Sequence, residues 1–273
     1  MSQKTDIYFH AGLPRTASTF LQRKVFPQFK GIVFVKKHDF KKHDQIIESA
    51  TEPILLSTEI DIGKGRPNAN KLFDFAEKYP EANIILVLRR HDKWIASKYK
   101  YHIRKNGRLT FKEFFNLQQN NGFFRKEHLE YRKIIDLLES LFQHKPLVMF
   151  QEEFKAEPEK SLNYLAAFCK ADFDYSKLKD IGVNAAFSEK QLRLLLKFNR
   201  RFAFDETKHK KSRKKIRAGL IHSLAFVARF ITSDNGNEGV LIPESDLKQV
   251  KEAYKEDWQA CINYASAQRE IFF

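Results

Sequence analysis

Short apolar runs punctuate the first third of the chain: Ile7–His10, Ile32–Val35, Ile54–Ser57 and Asn83–Leu88, each bounded by glycine, proline or charge. Runs of this length with little polar alternation fit strands buried on both faces of a parallel sheet. Between them the apolar positions recur at helical spacing near Thr19–Phe26, His38–Ser49 and Asn68–Lys78. Such alternation predicts βαβ units, with crossover helices covering both faces of the sheet. A helix is predicted from Lys93 to Lys105, stopped by Asn106-Gly107, and another over Arg125–Phe142, with Tyr131, Ile134, Ile135, Leu138, Leu141 and Phe142 on its apolar face. Leu147–Phe150 reads as a fifth strand, Pro158 opens a further helix, and Pro243 and Ser245 start a terminal one carrying Leu247, Val250, Tyr254, Trp258 and Cys261 on one face. The expected fold class is α/β: three layers, α/β/α, around a mostly parallel sheet of about five strands, followed by C-terminal helices. Residues 1–273 are read as one domain, with a basic helical excursion near 205–240.

Composition adds a sign. The 273 residues carry 49 Lys and Arg against 34 Asp and Glu, a formal charge of +15, which favours an anionic partner without choosing its class. The 26 phenylalanines against 2 methionines point to an aromatic core. Two cysteines, Cys169 and Cys261, are too few for a thiolate metal site and read as buried structural residues compatible with a reducing compartment. The polar start, Met1 to Asp6, reads as neither leader nor anchor. The longest acid-free apolar stretch, Gly219 to Ile231, holds 13 residues including His222 and Arg229, too short and polar to span a bilayer. Localisation is expected to be cytoplasmic, extending to the inner membrane face if the basic segment binds lipid.

The first βα junction carries the candidate chemistry. Ile7–His10 runs into Gly12-Leu13-Pro14-Arg15-Thr16-Ala17-Ser18-Thr19-Phe20-Leu21, a strand, a tight loop and a helix start rich in hydroxyls. Free N–H groups and partial positive charge at a helix start suit phosphate or sulfate. A nucleoside-triphosphate loop needs Gly, four residues, then Gly-Lys-Ser/Thr. Here the matching positions are Ala17, Ser18 and Thr19, so the lysine slot holds Ser18 and the cation sits inside the loop, at Arg15.

That arrangement resembles the 5′-phosphosulfate loop of sulfotransferases that use 3′-phosphoadenosine 5′-phosphosulfate (PAPS), which runs Gly-x-Pro-Lys/Arg-Ser/Thr-Gly-Ser/Thr-Thr-Phe/Trp-Leu. Gly12, Pro14, Arg15, Thr16, Ser18, Thr19, Phe20 and Leu21 match, while Ala17 stands where glycine is usual and is expected to fit with a negative φ. The same family carries Arg, seven residues, then Ser after a core strand, to grip the 3′-phosphate. Arg89 and Ser97 have that spacing, and His91 replaces a frequent proline. The resemblance implies a P-loop-like fold and a transferase that moves a sulfuryl group from PAPS to an acceptor hydroxyl on a carbohydrate or lipid-linked glycan, releasing PAP, with no metal. It implies cofactor-binding roles for Gly12, Pro14, Arg15, Thr16, Ala17, Ser18, Thr19, Phe20, Arg89 and Ser97. It also implies a catalytic role for Arg15 and a general base after a strand between the two motifs.

Two residues compete for that base. Glu59 follows Leu56-Ser57-Thr58, similar to the Ser-Ser-Glu segment of many bacterial sulfotransferases, and is preferred; His38 follows Ile32–Val35. His10 borders the loop, lining the site or packing behind it. Lys208–Arg217 contains seven Lys or Arg and no acid, and runs into apolar positions at helical spacing through Ile231. It closes over the nucleotide, recruits an acidic glycan, or rests residues 208–231 on anionic lipid as a peripheral contact. The rival readings are a P-loop kinase, which the missing lysine disfavours, and a basic nucleic-acid-binding protein, for which no recognition motif appears; nucleic acid is therefore not the expected partner.

Overall fold

The computed structural model describes residues 5–36, 39–59, 69–178, 187–201 and 240–272. His38 and the basic segment 208–231 lie outside the described residues. The chain divides into two compact units. One comprises residues 1–94, 127–181 and 251–273; the other comprises 95–126 and 182–250.

The first unit is built on a five-stranded parallel sheet in the order β2-β3-β1-β4-β5. Its strands are β1 (Ile7–His10), β2 (Val33–Val35), β3 (Ile54–Ser57), β4 (Asn83–Leu88) and β5 (Leu147–Phe150). β1 lies centrally, its Phe9 opposite Leu56 of β3 and Ile84 of β4. The strands read as continuous apolar runs because both faces are covered. Ile7, Phe9, Ile54, Leu56, Ile84, Leu86 and Leu88 face one core, completed by Leu72, Phe75, Ile135, Leu138 and Cys261. Tyr8, Leu55, Ile85 and Val87 face the other, with Leu21, Val25, Phe26, Leu162 and Leu165. The three-layer α/β/α architecture with a parallel sheet is thus the one expected, and strand alternation assigns each side chain its layer.

The helices on the first face are α3 (Ala69–Lys78), α6 (Tyr131–Leu141) and α11 (Lys255–Phe272); α8 (Pro158–Phe168) lies on the second. The helical run after the loop also belongs to the second face. It begins as one α turn, α1 (Ser18–Phe20), widens to a π segment over Leu21–Val25 and tightens to 3₁₀ over Phe26–Gln28. Pro27 supplies a reason: it has no N–H for the ladder, and its ring crowds the carbonyl four residues back.

Two predicted helices are broken. The expected Arg125–Phe142 helix is a 3₁₀ turn, Lys126–Leu129, followed by α6. The break is fixed from afar: the Asp257 carboxylate accepts the N–H groups of Tyr131 and Arg132, both at 3.0 Å, capping α6 where no local side chain does. The expected single terminal helix is two, α10 (Glu244–Ala253) and α11, separated at Tyr254, whose ring stacks on His91 at 4.8 Å. Between β2 and β3 the predicted helix is a 3₁₀ turn, Phe40–Lys42, leading into α2 (His43–Ser49).

The second unit is helical among its described residues. α4 (His91–Arg104) begins in the first unit and continues in the second, where α5 (Phe111–Phe114) and α9 (Glu189–Arg201) also lie. The predicted stop of α4 is present. Asn106 takes φ +71°, and Gly107 N–H returns to the His102 carbonyl at 2.8 Å. Gly107 is required by space rather than by φ, since a Cβ there would collide with the His102 ring. Buried Asn199 of α9 donates to the carbonyls of Ile103 (2.7 Å) and Gly107 (3.0 Å), tying α9 to this turn.

Candidate active site

The ends of β1, β3 and β4 meet at the C-terminal edge of the sheet, where ligands bind in open α/β folds. The loop from β1 to α1 is braced from within. Thr16 Oγ1 donates to the Leu13 carbonyl at 2.6 Å and Ser18 Oγ to the same carbonyl at 3.3 Å; both hydroxyls are buried. They therefore shape the loop instead of capping the helix, and Ala17, the N-cap residue, makes no side-chain cap. Thr19 is exposed at the loop's end, and Phe20 packs partly into the core beneath.

Ala17 departs from expectation. Its φ is +70° and ψ 5°, left-handed, where a negative φ was foreseen; Arg15 is left-handed too, at φ +76°. Two left-handed residues flank Thr16, and tight turns are where backbone N–H groups can form anion-binding concavities. Glycine is usual at this position because only glycine reaches that conformation without a Cβ penalty.

Gly12 is fixed by space. A Cβ there would collide with Nε2 of His10, the last residue of β1. His10 is fully buried on the α1 side of the sheet, its ring edge-on to Phe26 at 5.4 Å. Burial pushes its pKa down to about 3, so the imidazole is neutral at physiological pH. Its Nδ1 lies 2.7 Å from Ser57 Oγ, while its Nε2 is buried without a hydrogen-bond partner. Packing thus accounts for His10 only in part.

Arg89 follows β4 directly and is half-buried. Its Nη1 donates to the Arg15 carbonyl at 3.4 Å, which brings the two motif arginines together. Burial pulls the Arg89 guanidinium below its ordinary pKa; Glu152 opposes that and the Arg15 charge adds to it. The Arg15 charge thus disfavours the Arg89 cation, and a bound anion would relieve such repulsion. Three further groups hold this edge, none of them foreseen from the sequence. Trp94 Nε1 donates to the Pro14 carbonyl at 2.9 Å. Tyr131 donates its hydroxyl to the Arg89 carbonyl at 2.9 Å. Glu152 accepts the Arg90 N–H at 3.2 Å, while Arg90 itself is forked onto Asp92 at 2.7 and 2.9 Å. His91, in the slot where proline is frequent, is buried between the Tyr131 and Tyr254 rings and bonded to Asp257 at 2.9 Å. The hydrogen-bond partners of Trp94, Tyr131 and His91 are 80, 42 and 166 residues away in sequence, so only an indole or a phenol placed just after a strand or at a helix start hinted at them.

Glu59 is half-exposed, two residues beyond the last residue of β3, and Thr58 N–H is tied to the His10 carbonyl at 3.1 Å. Ser97 is half-buried on α4 and belongs to the second unit. Both cysteines are buried and unpaired in disulfides; burial pushes the Cys261 thiol up to about 12. Among the described residues no three His, Cys, Asp or Glu side chains form a metal site, and no helix is long and apolar enough to cross a membrane.

No family model matches the chain, and no curated protein does. Among solved structures it is similar to mouse sulfotransferase SULT7A1 complexed with PAP, at 16% identity over 92% of this chain and 90% of that one, with a TM-score of 0.44. It is also similar to a sulfotransferase from Alicyclobacillus acidocaldarius, at 18% identity over 70% of this chain and 80% of that one, with a TM-score of 0.39.

Proposed function

We propose that the chain is a sulfotransferase that takes a sulfuryl group from PAPS to an acceptor hydroxyl and releases PAP. The observation that carries the reading is the pairing of Arg89 with the Arg15 carbonyl: the arginine after β4, which its motif reserves for a 3′-phosphate, reaches the backbone of the loop whose own arginine is reserved for the 5′ end. The donor set suits that ligand. It combines two guanidinium groups, the first-turn amides of α1 and a loop with two left-handed residues, all suited to anions.

In this reading Arg15 and the loop amides stabilise negative charge on the sulfuryl group and on the departing 5′-phosphate. Arg89 and Ser97 hold the 3′-phosphate. Glu59 takes the acceptor proton as the acceptor oxygen bonds to sulfur and the bond from sulfur to the 5′-phosphate oxygen breaks. His38 is the competing base. The acceptor proposed is a carbohydrate or lipid-linked glycan, the class that the resemblance implies; the net charge of +15 favours an anionic partner without choosing among classes.

Thermal unfolding with PAP, ATP or a random oligonucleotide tests the assignment. A ligand of the folded state raises the midpoint according to its concentration relative to its dissociation constant. PAP is expected to stabilise well above ATP and the oligonucleotide. Equal or greater stabilisation by ATP returns the loop to a kinase, and stabilisation by the oligonucleotide alone makes it a nucleic-acid binder.

A further inference from the structure

The loop after β1 and the carboxylate after β3 are joined by a group that neither motif includes. Ser57, the last residue of β3, is fully buried and stands opposite His10 in the sheet register. A buried hydroxyl is costly unless bonded, and this one is bonded twice. Gln22, from the helical run after the loop, donates Nε2–H to Ser57 Oγ at 3.0 Å, and His10 Nδ1 lies 2.7 Å from the same oxygen. One residue on, Thr58 N–H donates to the His10 carbonyl at 3.1 Å, so the chain leading to Glu59 is held twice by one histidine. The other edge of that imidazole fills the space where a Gly12 side chain would be, with Nε2 left unpartnered behind the loop. A continuous path therefore runs from Gly12 through the His10 ring to Ser57, Thr58 and Glu59, with Gln22 anchoring it to the helical run.

We infer that Ser57 is a positioning residue whose hydroxyl couples occupancy of the anion loop to the placement of Glu59. Ligand drawn into the loop presses Gly12 on the His10 ring, and the ring holds the oxygen from which the Glu59 segment departs. The inference rests on the sulfotransferase reading, because it takes Glu59 as the group that faces the acceptor. A merely structural serine would stabilise the sheet without linking the two segments.

Hydrogen exchange on the full chain, with and without saturating PAP, separates the possibilities. In the wild type PAP is expected to slow exchange about tenfold both in a peptide covering 11–21 and in one covering 56–59. In Ser57→Ala, PAP still slows 11–21 but no longer slows 56–59, and Ser57→Thr, which keeps the hydroxyl, restores the second effect. Should Ser57→Ala not fold, Gln22→Met removes the donor from a half-buried position and is expected to weaken the same protection. PAP-dependent protection of 56–59 that survives Ser57→Ala, or Gln22→Met in its place, overturns the inference while leaving the sulfotransferase reading intact. Absence of any PAP effect on 11–21 in the wild type refutes that reading, and the inference falls with it.

Discussion

The indole N–H of Trp94 donates to the Pro14 carbonyl at 2.9 Å, so the loop after β1 is held by a residue 80 positions away in sequence. Trp94 is itself almost fully buried, with its ring edge-on to Tyr131. Trp94→Phe keeps an aromatic ring but leaves the Pro14 carbonyl without that donor, a loss of about 1–3 kcal/mol. Urea unfolding is expected to show that loss, and calorimetry a weaker affinity for PAP, because the loop is no longer pinned. Unchanged PAP affinity would mean that the loop holds its shape without the indole.

The left-handed Ala17 predicts a gain from an unusual direction. A left-handed residue with a Cβ costs roughly 1–2 kcal/mol, and glycine gives back about 0.5–1 of that through its greater freedom when unfolded. Ala17→Gly is therefore expected to raise stability by about 0.5–1 kcal/mol in urea titrations, whereas the β-branched Ala17→Val lowers it. A destabilised glycine variant would contradict the φ of +70°.

Arg15, Arg89 and Glu59 are expected to fail in different ways. Arg89→Ala removes a charged grip worth about 1.5–3 kcal/mol and so weakens PAP binding roughly 10- to 100-fold, while barely changing affinity for adenosine 5′-phosphate, which lacks the 3′ group. Arg15→Ala is expected to lower transfer from PAPS by about 10²–10³-fold. Glu59→Gln is expected to abolish transfer with PAP binding retained. Normal turnover in that variant moves the base to His38, and equal loss of PAP and adenosine 5′-phosphate in Arg89→Ala removes its assignment to the 3′-phosphate.

The sheet was readable because its strands are short apolar runs closed off by Gly, Pro or charge, and Ile7–His10, Ile54–Ser57, Asn83–Leu88 and Leu147–Phe150 have the boundaries expected. The helix breaks at Glu130 and Tyr254 were not readable, since periodicity continues through both and the cap comes from Asp257. The same division runs through the site. Arg15 and Arg89 stand out as motif positions, whereas Trp94, Tyr131, Gln22 and Ser57 act through partners 35 to 80 residues away that only the folded sheet brings near. Ala17 shows the limit at one residue: its identity was visible, but the sign of φ is set by the closure of the loop onto the Leu13 carbonyl.

His10 makes the stability of the first unit sensitive to acid. Its pKa falls from 6.5 in the unfolded chain to about 3 in the buried site, so the unfolded state binds the extra proton. The stability it allows is complete above about pH 6.5 and declines as pH falls toward 3, at up to ~1.4 kcal/mol per pH unit. His102 shifts in the same direction through burial, and other groups titrate in the window, so the informative quantity is the difference between wild type and His10→Asn. Asparagine places an amide near the Nδ1 position, within reach of Ser57, but takes up no proton. His10→Asn is expected to be less stable than wild type at pH 7, where the ring's packing against Gly12 is lost, and to close that gap as pH falls through 5.5 and 4.5. Parallel curves in urea unfolding at these three pH values would show that the imidazole is protonated without cost, and that His10 is not sealed behind the loop.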